Sequence, residues 1–443
     1  MEKDLTQGSL IKNIAVFSLP YLLSYFLQTL YGMADLFIVG QYNSAASISG
    51  VAIGSQVMHM LTVMIVGLAM GSVVMIARHV GGHDKKAVAK TIGNTISLFI
   101  LLAVILCAGL LVFVNPIVTV MQTPPEAVEE TRRYLIVCFA GIPFIIAYNV
   151  IAAIFRGLGD SKSPMYFIAI ACVANIGLDF LFIGAFDMKA VGAAYATVAA
   201  QALSVIISLV AIKIKKLVTI EKSDLKRDKA VTRGLINIGV PVSLQDGFIQ
   251  VSFLIITIIA NSRGLEVSAA VGIVEKIITF LFLVPSTMLS TVSTISSQAI
   301  GAGRPELARK TLLYGTAISA TIGFFFAVTF QFAAEPVIGL FTAEKEVVRL
   351  GATYMHAYVF DCAIASFHFC FSGFFVAQGY AFVSFIQNVV SIVLMRVPGA
   401  YFAAKLFPDT LFPMGLAAPA GGLIQIAILV TVYVVYRKNG KIK

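Results

Sequence analysis

Charged residues are scarce in this chain of 443 residues. Asp, Glu, Lys and Arg make up 12% of it, about half the fraction found in an ordinary soluble globular protein. Tryptophan is absent, and there are five cysteines, which lie singly in apolar segments without a CxxC pair. This spacing excludes a disulfide scaffold and a cysteine-ligated metal site. The shortage of charge, with a mean hydropathy of +0.93, excludes a soluble enzyme.

Long apolar runs fill the chain instead. Each is close to the roughly 20 residues that a helix needs to cross a bilayer. The runs are apolar on every face rather than alternating, which argues against β-strands. The sequence therefore predicts an all-α polytopic membrane protein with twelve transmembrane helices. The predicted spans are 13–39, 47–77, 92–114, 131–156, 163–184, 190–214, 234–261, 267–299, 309–333, 347–377, 381–404 and 414–437.

The sequence contains no recognisable catalytic motif. A P-loop, an HExxH helix, a GxSxG elbow and a cluster of metal ligands are all missing, so neither ATP hydrolysis nor a familiar enzymatic reaction is indicated. The connections between the spans are also too short to hold a separate soluble domain. We expect a secondary transporter without a cofactor, and not an enzyme.

The basic residues explain the formal net charge of +10. If the N-terminus is cytoplasmic, the cytoplasmic connections and tails contain 23 Lys and Arg residues and the outer connections contain 7. This asymmetry is the topological signal of a membrane protein and does not indicate a nucleic-acid partner. It predicts that both termini are cytoplasmic. We also expect the chain to reside in the plasma membrane, the inner membrane of the cell, with the lipid bilayer as its surroundings.

The two halves of the chain resemble each other weakly. A shift of about 220 residues is typical of a duplicated unit of several helices, and three places then match. They are Pro20 with Pro241, 80–91 with 300–311, and 155–159 with 375–379. The alternative is that unrelated helices have Gly and Pro at similar positions by chance.

A duplication divides the chain into two six-helix lobes. The boundaries that we predict are an N-lobe at 1–214, a cytoplasmic linker at 215–233, which is rich in charge, and a C-lobe at 234–443. An even number of helices in each lobe relates the lobes by a pseudo-two-fold axis along the membrane normal. Pro20 and Pro241 each remove a backbone hydrogen bond and are expected to bend the first helix of their lobe.

Five carboxyl groups fall within the predicted spans. Left charged and unpaired at mid-membrane, each would cost roughly 2.5–3.5 kcal/mol or more. Such residues normally face a bundle interior or a hydrated cavity, so each is a candidate for function. They are Asp35, Asp179, Asp246, Glu275 and Asp361. Two basic residues, Lys276 and Arg396, also lie within spans, but the sequence names no partner for either.

Polar residues repeat at helical spacing around two of these acids. Gln28 and Tyr31 precede Asp35 on one helix face, and Asn175 lies one turn before Asp179. Thr197 begins a similar stripe on the sixth span. These stripes predict a hydrated cavity, although Ser and Thr hydroxyls can also serve simply as hydrogen bonds between helices.

A carboxyl group in such a cavity can bind either of two ions. Burial favours the neutral form of a carboxyl group, which can then carry a proton near neutral pH. The same group with neighbouring amide and hydroxyl oxygens can bind Na⁺ instead, and the sequence does not distinguish these ions. If Na⁺ is bound, its candidate ligands are Asp35, Asn175, Asp179 and Thr197.

Several motifs resemble those of multidrug and toxic-compound extrusion (MATE) transporters. They are YGMADLFIVGQ in the first span, GLAMGSVVMIARHVGG at the end of the second, FRGLGDSKSP after the fourth and SSQAIGAGRPELARK after the eighth. The resemblance extends over essentially the whole chain. It implies two six-helix lobes, alternating access, and export of amphipathic organic cations in exchange for H⁺ or Na⁺. We expect these small organic cations as the cargo and a monomeric transporter.

The resemblance also implies a location for ion coupling. In the DinF-like branch of the family, a polar cluster of the N-lobe handles the coupling ion, and Pro20 would match the proline that bends the first helix. The positions that match this cluster are Asp35, Tyr134, Asn149, Asn175, Asp179 and Thr197.

The NorM-like branch uses acids of the C-lobe instead. Its glutamate would be expected about eight residues beyond Pro241, where this chain has Ile249 followed by Gln250. The C-lobe acids therefore remain secondary candidates. The main alternative function is a related lipid-linked oligosaccharide or lipid flippase, whose cavity should be rich in Arg and Lys for binding pyrophosphate.

Overall fold

The computed structural model describes residues 4–215 and 220–442, and every regular element in these two ranges is helical. The first range contains α1 (Leu10–Tyr42), α2 (Ala45–Gly81), α3 (Lys85–Val112), α4 (Val114–Val120), a 3₁₀ turn (Pro125–Ala127), α5 (Val128–Ala140), α6 (Ile142–Gly157), α7 (Lys162–Asp179), a π-helical segment (Phe180–Ala185) and α8 (Lys189–Lys215).

The second range begins with a connection and continues with helices that follow one another closely. They are α9 (Lys229–Asn261), α10 (Leu265–Leu281), α11 (Leu283–Gly301), α12 (Pro305–Gly339), α13 (Lys345–Tyr358), α14 (Phe360–Gln378), α15 (Ala381–Ser391), a second π-helical segment (Ile392–Arg396), α16 (Val397–Leu406) and α17 (Phe412–Lys438).

The helices have the length and composition of membrane spans. Within the described residues, eleven helical stretches are long and apolar enough to cross a bilayer, and a twelfth is added if a bent pair counts as one span. This pair, Pro125–Ala140 and Ile142–Gly157, is bent by 50° and coincides with the predicted span at 131–156. Large apolar side chains such as Leu265 and Phe332 are more than four-fifths exposed, as expected for a surface facing lipid. The all-α polytopic fold class is confirmed.

The chain forms two compact units. The first, called the N-unit here, contains Leu19–Gly239, and the second, the C-unit, contains Leu5–Ser18 and the chain from Val240 onward. The change from one unit to the other therefore falls inside α1 and inside α9, two residues before Pro20 and Pro241 respectively. Both helices continue through their prolines.

The connection before α9 is attached to α3. Asn94 accepts a hydrogen bond from the backbone N–H of Asp228 at 2.7 Å, and Lys90 forms an ion pair with the Asp228 carboxylate at 2.6 Å. The hydrogen bond from Lys90 holds the pKa of this carboxyl below its usual value. Gly93 leaves space for the Asp224 carbonyl, which a Cβ atom would meet. Residues 216–219 of the predicted linker lie outside the described residues.

The backbone repeats at the places where the two halves match in sequence. His83 after α2 and Gly303 after α11 have φ angles of 56° and 70°, and Gly159 after α6 and Gly379 after α14 have φ angles of 85° and 89°. These left-handed conformations favour glycine and reverse the chain at the end of a helix. These turns lie at equivalent positions of the segments aligned above. A chance similarity of Gly and Pro positions is therefore a poor explanation for the sequence match between the two halves.

The FRGLGDSKSP motif caps α7. The Asp160 carboxylate accepts hydrogen bonds from the backbone N–H groups of Lys162 and Ser163, both at 3.0 Å, which are donors that the first turn of a helix leaves unpaired. Partial burial opposes ionisation of Asp160, but the bonds from Ser163 and the nearby Lys215 ammonium outweigh it and hold its pKa below the usual value. The motif therefore fixes where α7 begins.

Small residues bring the helices of the C-unit together. Gly373 on α14 lies against α11 so closely that a Cβ atom would meet the carbonyl oxygen of Leu289. Nearby, Ser319 on α12 donates a hydrogen bond to Ser366 on α14 at 2.9 Å. In a membrane, close packing and hydrogen bonds of this kind hold helices together because the lipid tails leave little hydrophobic driving force.

Replacing Gly373 by valine should therefore destabilise the C-unit. The added side chain meets backbone atoms, which cannot move aside as a flexible side chain can, and such overpacking costs about 1–3 kcal/mol. We expect a lower melting temperature of the purified protein in detergent. Gly109→Val is the matched control, because no atom lies within 4 Å of a Cβ at Gly109. Equal melting temperatures for the two variants would contradict the packing described.

Candidate functional site

Asp35 forms the centre of a polar cluster in the N-unit. It lies in α1, and its side chain is 2% exposed. Thr197 on α8 donates a hydrogen bond to Asp35 Oδ2 at 3.1 Å. The side chains of Asn175 and Asp179, both on α7, lie beside the same carboxyl group. Three helices that are distant in sequence thus bring four polar side chains together, and we call this group the N-unit cluster.

Asp179 occupies an unusual place in its helix. It is the last residue of α7, is 0% exposed, and is followed directly by the π-helical segment Phe180–Ala185. In this segment the backbone hydrogen bond reaches one residue further, as in the 3.0 Å bond from Phe186 N–H to Leu181 O. Wide turns of this type occur frequently at functional sites. Sequence periodicity gave no sign of this segment, because its residues are apolar like those around them.

The N-unit cluster has more hydrogen-bond acceptors than donors. Asp35 Oδ1, both carboxyl oxygens of Asp179 and both polar atoms of the Asn175 amide are buried without a hydrogen-bond partner among the described residues. An unsatisfied buried polar group costs about 1–3 kcal/mol, and two ionised carboxylates repel each other strongly where water is excluded. Uptake of a proton or of a cation by the cluster would relieve both of these costs.

The chemistry of the cluster limits which positive charge it can hold. Its ligands are carboxylate, amide and hydroxyl oxygens, which are the donors that hard cations prefer. A proton shared between the two carboxyl groups would satisfy them as well. The residues thus fit both H⁺ and Na⁺.

A second polar contact lies close to the cluster. Gln201 on α8 donates a hydrogen bond to the Tyr31 hydroxyl at 3.3 Å, and the carbonyl oxygen of the Gln201 side chain is buried without a partner. Tyr31 is one turn before Asp35 and is partly exposed, so this pair lines the same face of α1. Gln28 is also partly exposed and has no hydrogen bond with the described residues.

The other two positions implied by the family resemblance differ in their surroundings. Tyr134 is buried, close enough to Asp35 to interact with it electrostatically, and its ring occupies space that a Cβ atom at Gly54 would fill. Asn149 is buried as well, but its amide donates a 2.8 Å hydrogen bond to Ile145 O in its own helix. Among the described contacts, Asn149 has none with Asp35.

The three acids of the C-unit have different environments. Glu275 accepts a hydrogen bond from Thr257 at 3.1 Å. Asp246 is partly exposed and has no hydrogen-bond or ion-pair partner among the described residues. Asp361 is 3% exposed, and Arg396, which sequence reasoning left without a partner, donates a 2.7 Å hydrogen bond to the Tyr358 hydroxyl nearby. This contact joins residues 38 positions apart in the chain, so the spacing of residues along one helix could not predict it.

These features define a polytopic membrane protein with carboxyl groups buried inside its helical units. A comparison with protein families adds that the MatE model matches the chain twice, at residues 20–181 and 241–402. The chain therefore belongs to the MatE family, whose members are transporters and not enzymes. The two matches lie one in each half, as the repeat at Pro20 and Pro241 predicts.

Named relatives extend over most of the chain. It is 27% identical over 406 residues to the probable multidrug resistance protein YpnP of Bacillus subtilis, covering 91% of each protein. It is 23% identical over 340 residues to DNA damage-inducible protein F of Escherichia coli, covering 76% of this chain and 74% of that one. A crystal structure of MATE in complex with MaL6 is 22% identical and has the same fold, with a TM-score of 0.90 over 98% of this chain and 97% of that one.

The unsatisfied acceptors of the N-unit cluster lead to a prediction about stability. Asp179→Asn removes one negative charge and adds two N–H donors beside Asp35. Regaining one hydrogen bond to a buried charged group is worth about 1.5–3 kcal/mol, so we expect the variant to melt at the same temperature as the native protein or several degrees higher at mildly alkaline pH.

The exposed acid Glu126 provides a control for this measurement. Glu126→Gln also removes one negative charge, but its side chain is exposed in the 3₁₀ turn before α5, so its melting temperature should remain that of the native protein. A melting temperature for Asp179→Asn well below that of Glu126→Gln would mean that the Asp179 carboxylate is satisfied in the folded protein.

Proposed function

We propose that this chain is a secondary antiporter that exports amphipathic organic cations in exchange for H⁺ or Na⁺. The observation that carries this proposal is the pair of buried carboxyl groups, Asp35 and Asp179. Only Asp35 Oδ2 accepts a hydrogen bond, from Thr197, and the other three oxygens have no partner among the described residues. A site that needs an external positive charge can take either the coupling ion or a cationic cargo. Membership of a transporter family and the multidrug resistance names of the relatives support the same conclusion.

The mechanism follows from competition for this negative charge. When H⁺ or Na⁺ enters the N-unit cluster, Asp35 and Asp179 are neutralised and no longer attract a cation. The cargo is then released on the outer side, and departure of the ion on the inner side restores the attraction. In this scheme Pro20, which leaves α1 without one backbone hydrogen bond, is where α1 bends as Asp35 changes its charge.

The surroundings of the transporter follow from charge and surface composition. The excess of Lys and Arg in one set of connections supports an orientation with both termini in the cytoplasm, and the bacterial relatives support location in the plasma membrane. The exposed apolar side chains of both units are suited to direct contact with lipid. We propose that a single copy of the chain is the transporting unit.

A flippase for lipid-linked oligosaccharides is less well supported. Binding of pyrophosphate calls for several Arg and Lys side chains in the cavity. In the described N-unit cluster the charged side chains are both acids, and Lys276 in the C-unit is exposed. Arg396 alone does not provide the several basic side chains that pyrophosphate calls for, and the two acids of the N-unit cluster suit a cationic cargo.

Transport by liposomes containing purified protein tests the proposal. The liposomes are loaded with a fluorescent organic cation, and its movement is followed under an imposed pH gradient and then under an imposed Na⁺ gradient. We expect one of the gradients to drive the dye, and Asp35→Asn or Asp179→Asn to abolish this exchange, because each removes a charge that ion and cargo share.

Asp246→Asn is the matched control for these variants. It changes an acid of a membrane-spanning helix by the same substitution, but this acid belongs to the C-unit and not to the N-unit cluster, so we expect it to keep most of the exchange. Full exchange by both N-unit variants would overturn the proposed site. An absence of gradient-driven movement in the native protein would overturn cation antiport and favour the flippase.

A further inference from the structure

A cavity lies inside the C-unit, among the residues of α9, α14, α15 and α17. Its space is about 390 Å³, including the part that is open to solvent. The cavity has one acid and one base in its wall, Asp361 and Arg396, and both are more than nine-tenths buried. The mechanism proposed for the N-unit cluster uses neither of them.

Several polar atoms in this wall have no partner. Asp361 Oδ1, Asn388 Oδ1, Gln425 Oε1 and Arg396 Nε are all buried without a hydrogen bond among the described residues. Native proteins rarely leave so many buried polar groups unpaired in one place. The residues of the wall therefore contain three acceptors and one charged donor that the described residues leave unpaired.

The two charges interact electrostatically but do not form a direct ion pair. In the described part of the chain, no nitrogen of Arg396 lies within 4.0 Å of an Asp361 oxygen. A buried pair that stabilised the fold would need close contact and further hydrogen bonds to compensate for desolvation. Here the guanidinium instead donates to the Tyr358 hydroxyl and lies 4.6 Å from the centre of the Phe253 ring. Both side chains thus belong to the wall of the cavity without touching each other.

Aromatic rings complete the wall. Phe282 and Phe369 meet edge to face with their centres 6.2 Å apart, and the His368 ring lies 5.0 Å from that of Phe369. Aromatic faces attract cations, and alkylated ammonium groups most effectively, because such groups carry little bound water. On α17, Gly422 has no side chain to cover Asp361, since even a Cβ atom there would be 3.0 Å from Oδ1.

We propose that this cavity binds a small zwitterion that carries a carboxylate and an alkylated ammonium group. The carboxylate is held by the Arg396 guanidinium, whose planar donors suit a carboxylate. The ammonium group lies near Asp361 and the rings of Phe282 and Phe369. The wall itself contains one positive and one negative side chain, which matches a ligand without net charge. Glu275 is not part of the wall, although it interacts electrostatically with Arg396. A simple cation would meet the repulsion of Arg396, and a simple anion that of Asp361.

Binding of three probes to the purified full-length protein in detergent tests this inference. Glycine betaine carries both groups, choline carries only the ammonium and acetate carries only the carboxylate. We expect titration calorimetry to show binding of glycine betaine at least about tenfold tighter than binding of choline or acetate, since each lacks one of two charged contacts.

Two variants locate the binding in this cavity. Arg396→Gln and the nearly isosteric Asp361→Asn should each weaken glycine betaine binding by about tenfold or more. Arg349→Gln is the control and should bind as the native protein does, because this arginine is exposed and pairs with Glu346. Asp35→Asn should also keep the binding, so the N-unit proposal and this one can fail independently.

The probe series on the native protein decides the question even if a variant does not fold. No binding of glycine betaine, or equal binding of glycine betaine and choline, would overturn a zwitterion site. Undiminished binding by a folded Arg396→Gln variant would overturn the role of the guanidinium.

Discussion

Burial of charge in a medium without water is the constraint on which the arrangement of polar residues in this protein depends. The N-unit places Asp35 beside Asp179 and offers them an amide and a hydroxyl but no cation. The C-unit places Asp361 and Arg396 around one cavity. The first site therefore has two acids and no base among the described residues, while the wall of the second contains one acid and one base. The net charge of each site thus sets the class of ligand that suits it.

Close approach of helices positions these groups. Glycine is found where a side chain would push a helix away from its neighbour, as at Gly54 against the Tyr134 ring and at Gly373 against α11. The two π-helical segments also help to position charged groups, since one follows Asp179 and the other ends at Arg396. A wide turn changes the direction in which side chains point before and after it, and in both units it adjoins a buried charge.

The two halves keep a common backbone and differ in chemistry. Left-handed turns recur after equivalent helices. In both α1 and α9, the boundary between the two units falls two residues before a proline. When Pro20 is aligned with Pro241, the position of Asp35 is taken in the second half by Ile256, which belongs to the apolar core. Duplication thus accounts for the scaffold, and the charged residues were placed separately in each half.

The sequence by itself determined the fold class, since long apolar runs leave only membrane-spanning helices. It also indicated Asp35, Asn175, Asp179 and Thr197 as candidates, because polar side chains are rare in such runs. The tertiary structure alone decided that Thr197 bonds to Asp35, that the Asn149 amide is occupied by its own helix, and that Arg396 shares a cavity with Asp361. Helical periodicity tells which residues share a face of one helix. It does not tell which faces of distant helices meet, because that depends on packing and on the irregular turns between them.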